Sequence, residues 1–562
     1  MKRLHLLLLA FAALVSSVAA FAQSPALALG AKPAFILYVS PSSRKLLAND
    51  APELKARVNR WRDLIIARGE SFAIVTHPTQ LARMPAGSVL VLPSALVLDE
   101  EERKVIDARL AAGDSLLATG MPGSLDAKGA AIPATFIEHA FGVSAKVTAT
   151  PEMGFLITVG DTPLTHGVPA GTRLWVGTEQ RYPTPLLTVP GAGYVSNWSR
   201  TAGPTGLMYY TTVGTSRRAL LGWSEAFWES QPEFAQIAAD ALDFVEGKPV
   251  AYARSWPAPY HAAMTIGIDA LWRFENVPRM AAQLSAYGVH GSFHFLASDA
   301  VANAALIRQV AREGHSVGGF GDAVQPFAGQ PEGGQASRVR SMVRSFRDAL
   351  GPDFVVAGLR APQGATDAST EKATASLEYL VDSGRVDSMV PVIAPGGAPV
   401  LLTANVNLET NASLQAITAG LDEVATRAQT VNGYGFVGLD VAGFMQDSPM
   451  EAGLKRFLDS TRQRKDLWIA DAADVATWWR ERKDLKVASS WDPADATLTL
   501  DVNAATALGF PAGIAILAPP GRKASIVSAP AGTQLQPDTD GSTLVVLRNV
   551  VAGEQKVRLK FD

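Results

Sequence analysis

The stretch MTIGIDALW, residues 264–272, decides how this chain is read. Met264 to Ile268 reads as a buried strand that ends on a carboxylate, Asp269, with Trp272 and Phe274 just beyond it. Working outward, Gly291 to Leu296, Phe354 to Gly358, Tyr434 to Leu439 and Leu467 to Ala470 also read as strands. Helical stripes lie between them. Val277, Met280, Leu284 and Tyr287 line one face, and Val339, Met342, Val343, Phe346 and Leu350 line another. Strand–helix alternation over residues 255–485 predicts an incomplete or distorted (β/α) barrel, with its chemistry at the C-terminal ends of the strands.

The polar residues at those strand ends fall into four ordered motifs: MTIGIDALW, GVHGSFHFLA (288–297), REGHSVGGFGD (312–322) and GLRAPQGATD (358–367). In this order and spacing they resemble the NodB-homology polysaccharide deacetylases, metal-dependent hydrolases that remove acetyl groups from glycans. The resemblance implies a divalent ion, typically zinc, held by one Asp and two His, with a second Asp as base. Asp269 falls on the base position. The metal Asp becomes Ala270, and the His-x-x-x-His pair becomes Phe320 and Val324.

The later motif, GFVGLDVAGF (435–444), puts Asp440 where the family has a histidine that assists the leaving group. No histidine follows His315 in the chain. The family pattern thus leaves Asp269 and Arg360, a carboxylate–guanidinium pair, with Pro362 and Gly364 of the adjoining loop. The expected role is a cleft that binds a polysaccharide without a metal or other cofactor, lined by His294, Asp322, Pro362, Asp440 and Trp272. The alternative is an active deacetylase whose substitute metal site is built from Asp269, His294, Asp322 and Asp440. Two readings stand for Trp272 and Phe274: a platform for saccharide rings, or packing of the first loop. Of the tandem Trp478 and Trp479, on a helix starting near Asp471, one should be buried because neighbours on a helix point different ways.

Upstream, residues 31–250 alternate in the manner of a doubly wound, flavodoxin-like α/β sheet. Ala34 to Val39, Ser88 to Leu92 and Ser115 to Thr119 read as strands. A helix with Leu54, Val58, Trp61 and Ile65 on one stripe is capped by Asp50 and ended by Gly69; a second, Glu100 to Ala111, stops at Gly113. The run VLVLPSALVLDEEERKVIDARLAAGDSLLATG (89–120), with LTHGVPAG (164–171) and ALLGWSEAFWE (219–229), resembles glutamine-amidotransferase-like domains. Their catalytic members have a cysteine just after the third strand. Thr119-Gly120-Met121 stands there, and the chain has no cysteine at all, so glutamine hydrolysis is not expected. His166 reads as a turn or packing residue.

Downstream, residues 486–562 carry short alternating strands separated by Gly, Pro, Asp and Asn, the pattern of a β-sandwich. At the start, Lys2 and Arg3, the apolar run Leu6 to Ala20 and Ala20-Phe21-Ala22 read as a signal peptide over residues 1–22, with cleavage before Gln23. The expected location is periplasmic or secreted, without membrane insertion after processing. Fifty basic against 53 acidic residues, a formal charge of −3, lack the electrostatic footprint of a nucleic-acid binder. The partners expected are a glycan and, as a further reading, an envelope protein.

Overall fold

The computed structural model describes residues 32–48, 51–146, 154–176, 185–196, 202–382, 389–538 and 541–562. The expected leader, residues 1–22, and the expected cap Asp50 lie outside them. Two compact units result, one drawn from Met1–Pro151, Thr178–Thr188 and Tyr209–Ser230, the other from Glu152–Gly177, Val189–Met208 and Gln231–Asp562.

In the first unit, Phe72–Val75, Phe35–Tyr38, Val89–Leu92, Ser115–Thr119 and Ser216–Leu221 lie side by side in that order, all parallel. Runs such as FILY and VLVL are buried along their whole length, as strands covered on both faces must be. The helix Glu100–Ala111 starts on a capping box between Asp99 and Glu102. Past its end, Gly113 takes φ +94°, a conformation that suits glycine. Beyond Ser115–Thr119, Met121 turns through φ +58° with its side chain buried. Beside it the buried Glu225 carboxylate accepts hydrogen bonds from Trp61 Nε1 (2.8 Å), Ser94 Oγ (2.6 Å) and Thr119 Oγ1. That arrangement satisfies a buried charge and holds strand ends together.

The second unit is built around a ten-stranded sheet. Its strands are β1 (Ala262–Ala270), β2 (Ser292–Phe295), β3 (Ser316–Gly319), β4 (Gly358–Arg360), β5 (Tyr379–Asp382), β6 (Val400–Thr403), β7 (Val406–Leu408), β8 (Tyr434–Asp440) and β9 (Leu467–Ile469), with Val392–Ile393 at one edge. From that edge the order is β6-β5-β4-β3-β2-β1-β8-β7. Every pair is parallel except Val392–Ile393 with β6. The start of β1, Ala262–Met264, pairs with β9, while Gly267–Ala270 pairs with β2. The sheet curls into a half-barrel, as the alternation predicts.

Residue parity assigns the two faces. Met264, Ile266, Ile268 and Ala270 of β1 pack with Phe293 and Phe295 of β2 against the helices α1 (Val277–Ala286), α2 (Ala304–Arg312) and α3 (Glu332–Leu350). Both predicted stripes face this core: Val277, Met280 and Leu284, and Val339, Met342, Phe346 and Leu350, are buried. Each such side chain contributes about 1.5–3 kcal/mol through burial. The concave side holds Tyr379, Val381, Leu402, Tyr434 and Phe436 in a second core with Trp256 and Trp478. Trp478 is the buried member of the tandem pair; Trp479 packs on Trp256 with ring centroids 5.1 Å apart.

One strand is displaced from its expected place. Phe354 to Gly358 gives way to Gly358–Arg360, because Val355 is exposed and only Ala357 onward joins the sheet, its N–H donating to the Val317 carbonyl. Two antiparallel sheets complete the unit, Val250–Ala253 with Ala512–Leu517, Thr543–Leu547 and Gln534–Pro537, and Lys486–Asp492 with Thr497–Ala504, Gly553–Phe561 and Ala524–Ser528. Their inward residues, Ile514, Val545, Leu500 and Leu559 among them, share the concave-side core. The strand Val250–Ala253 comes from ahead of β1, residues too short and too mixed to announce themselves. His166 stacks on Tyr252 with centroids 4.9 Å apart, and its Nε2 lies 3.7 Å from Asp240, a packing position.

Candidate functional site

Neighbouring strands bring Asp440, Asp269 and His294 into one row, since Asp269 is in register with both Asp440 of β8 and His294 of β2. In a parallel sheet, registered residues face the same side, so all three project toward the concave mouth. Arg360, at the end of β4, is separated from β1 by two intervening strands, yet its Nε donates to Asp269 Oδ1 at 2.5 Å and its Nη2 to Asn407 Oδ1 at 2.7 Å. Only a curled sheet allows that reach.

Two glycines clear the way. A Cβ at Gly438 would lie 2.3 Å from Asn407 Oδ1 and 2.5 Å from Arg360 Nη2, and one at Gly318 would lie 2.7 Å from both His294 Cδ2 and the Tyr379 hydroxyl. Side chains of both bonded pairs thus occupy the space that any larger residue would need.

The Asp269 side chain retains 18% exposure and that of Arg360 9%, so the pair is mostly buried but still reached by solvent. Burial pushes the Asp269 carboxyl above its ordinary range; Arg360 pulls it back, and Asp440 pushes it up again. His294 is fully buried, with Nε2 and the Tyr379 hydroxyl 3.0 Å apart. Burial, aided by Arg360, brings its imidazole down to about 3, with the Ile268 carbonyl only partly offsetting this. It is therefore a neutral hydrogen-bonding group. Asp440 accepts from the Ala442 N–H (2.8 Å) and from Thr410 Oγ1 (3.2 Å).

Asp322 is engaged elsewhere. Arg338 of α3 donates through Nε to Asp322 Oδ1 at 2.8 Å, and the Ala323 N–H donates to the same oxygen at 3.0 Å. Pro362 is buried in the short turn after β4, where Gln363 takes φ +59°. Trp272 is 56% exposed, which excludes the packing reading for that residue, whereas Phe274 rests against the helix-side core.

The set Asp269, His294, Asp322 and Asp440 does not come together as a substitute metal site among the described residues. Arg360, Tyr379 and Arg338 have claimed the first three. The family positions do not fit an ion either. Ala270 is buried in the helix-side core, Phe320 is buried and without a lone pair, and Val324 is 57% exposed. The one triad of ligand-type atoms within 4.8 Å of one another among the described residues is His290, Asp471 and Asp474. It sits just ahead of β2 and just past the end of β9, level with the middle of β1 and apart from Asp269 near its C-terminal end. Asp471 there caps the helix Ala472–Arg482, accepting from the Ala473 and Asp474 N–H groups.

Sequence reasoning missed the partners Asn407, Tyr379 and Arg338. None lies in a motif, and each meets its site residue only through folding, over sequence separations of 47, 85 and 16 residues.

A curled parallel sheet with a carboxylate–guanidinium pair at its C-terminal strand ends defines the class. The family model described as "Polysaccharide deacetylase" matches residues 262–381. The chain thus carries a polysaccharide-deacetylase-family domain over that stretch. No curated protein matches the chain. Among solved structures, a polysaccharide deacetylase candidate from Mycobacterium smegmatis is similar at 17% identity, covering 41% of this chain and 92% of its own, with a TM-score of 0.35. A CE4 family pseudoenzyme from Bacillus anthracis is similar at 11% identity, covering 38% and 65%, with a TM-score of 0.29. A family 4 carbohydrate esterase from Streptomyces lividans, solved with acetate, is similar at 14% identity, covering 37% and 91%, with a TM-score of 0.27.

Proposed function

We propose that this chain is an exported, catalytically degenerate relative of the polysaccharide deacetylases that binds or scaffolds a cell-envelope or extracellular polysaccharide. The observation that carries this reading is the Asp269–Arg360 pair, 2.5 Å apart at a half-barrel mouth whose family metal positions hold Ala270, Phe320 and Val324. A metal deacetylase draws its rate from a Lewis acid that polarises the acetyl carbonyl and lowers the pKa of a bound water. Without donors for that ion, the same strand ends supply only hydrogen bonds and shape.

The residues left in the cleft suit that task. Asp269 and Asp440 accept from sugar hydroxyls, Arg360 and Asn407 fix the floor, and the exposed Trp272 offers an apolar face to a ring. The upstream amidotransferase-like module, lacking a cysteine, and the C-terminal β-sandwich module are noncatalytic in this reading. Secretion follows from the leader pattern over residues 1–22.

Titration calorimetry of the mature protein with acetylated chitin and xylan oligosaccharides tests the reading. Binding to one of them that weakens at least about tenfold in D269N supports it, a factor worth about 1.4 kcal/mol. Absence of binding to every oligosaccharide, with the protein folded, overturns it.

A further inference from the structure

A second site lies on the outside of the half-barrel. The helix α3 buries Val339, Met342, Phe346 and Leu350, while Arg340, Arg344 and Arg347 stand exposed on another stripe at i, i+4 and i+7. Seven residues of helix place these guanidinium groups along roughly 10 Å. They border a groove of about 940 Å³, closed on its other side by Lys372 and Val355.

Lys372 pairs with Glu332 at 3.0 Å, whereas the three arginines form no ion pair among the described residues. Arg340 and Arg344 make no hydrogen bond among the described residues, and Arg347 donates through Nε to the Phe354 carbonyl at a long 3.5 Å. Asp348, four residues after Arg344, is the one acid set against three arginines on this face, and Arg340 and Arg344 repel each other at the same i, i+4 spacing. This surplus of positive charge occurs in a chain whose formal charge is −3.

We propose that this groove binds an acidic polysaccharide, a chain with carboxylates on successive sugars. Arginine meets each carboxylate through paired N–H donors. The wall contains no aromatic ring, so it has no platform for nucleobases or for the stacked faces of a neutral sugar. Its apolar residues, including the 66% exposed Val355, suit the C–H edges of a sugar backbone held by charge. The choice of a glycan rests on the proposed function; the site itself is separate from the Asp269 cleft.

The test uses the mature full chain and oligogalacturonate as probe, with neutral chito-oligosaccharide and oligo-dT as comparisons. Oligogalacturonate is expected to bind at low salt and to lose about tenfold or more in affinity as salt rises past the physiological range, where surface charges are screened. R340A/R344A is expected to lose at least about tenfold while R340K/R344K keeps part, and D269N is expected to leave this binding unchanged. No binding at low salt, equal binding by the double alanine variant, equal binding of oligo-dT, or loss in D269N would each overturn the groove assignment. Oligogalacturonate binding that follows the groove variants, with no neutral oligosaccharide bound, would fail the cleft reading and leave the groove standing.

Discussion

Replacing Arg360 by Met strands the mostly buried Asp269 carboxylate without its partner. Breaking a largely buried ion pair costs about 3–5 kcal/mol, and the residual exposure of Asp269 places this case near about 3. Urea denaturation of R360M should show that loss, and R360K a smaller one; a change below about 1 kcal/mol would mean the pair does not hold the strand ends. His294 makes a second prediction. Its folded pKa, about 3, lies below its ordinary 6.5, so its contribution to stability is complete above 6.5 and is lost as pH falls from there toward 3. Each unit of pH in that window removes up to about 1.4 kcal/mol. The difference in stability between the wild type and H294Q should therefore shrink on acidification, and the imidazole nitrogen shifts should remain those of the neutral ring at pH about 5. A His294 that protonates near 6.5 would contradict the buried, neutral assignment.

At the scale of elements, β8 must pass Arg360 and Asn407 without a side chain, which is the role of Gly438. G438A forces a methyl against both groups and should cost about 1–3 kcal/mol while weakening the cleft's ligand. Calorimetric unfolding with a parallel binding measurement checks this; an unperturbed variant would show that β8 can shift freely. Much of this level was legible in the sequence. Strand ends such as Ile268-Asp269 stand out because apolar residues alternate toward the helices while polar ones terminate the strand. Helices α1 and α3 were legible for the same reason, through their stripes. Phe354 to Val356 misled, because an apolar run reads as a strand whether or not a neighbouring strand is there to receive it. Asp322 misled differently: its motif position suggests the cleft, but a residue 16 positions along the chain takes its oxygen.

For the whole molecule, motif order proved more informative than any single motif, because four strand ends in sequence constrain one sheet. What the sequence could not convey was which side chains close the site from afar. Tyr379 beneath His294 and Asn407 beside Arg360 depend on how the sheet curls, a property of all its strands together. On the proposed function, this half-barrel keeps the fold of the deacetylase family without its ion. The measurement that tests it most directly is metal content with acetate release, on mature protein incubated with zinc, cobalt or manganese and acetylated chitin or xylan oligosaccharides. Neither stoichiometric metal nor acetate above the no-protein blank is expected. Stoichiometric metal together with acetate release that D269N abolishes would contradict it.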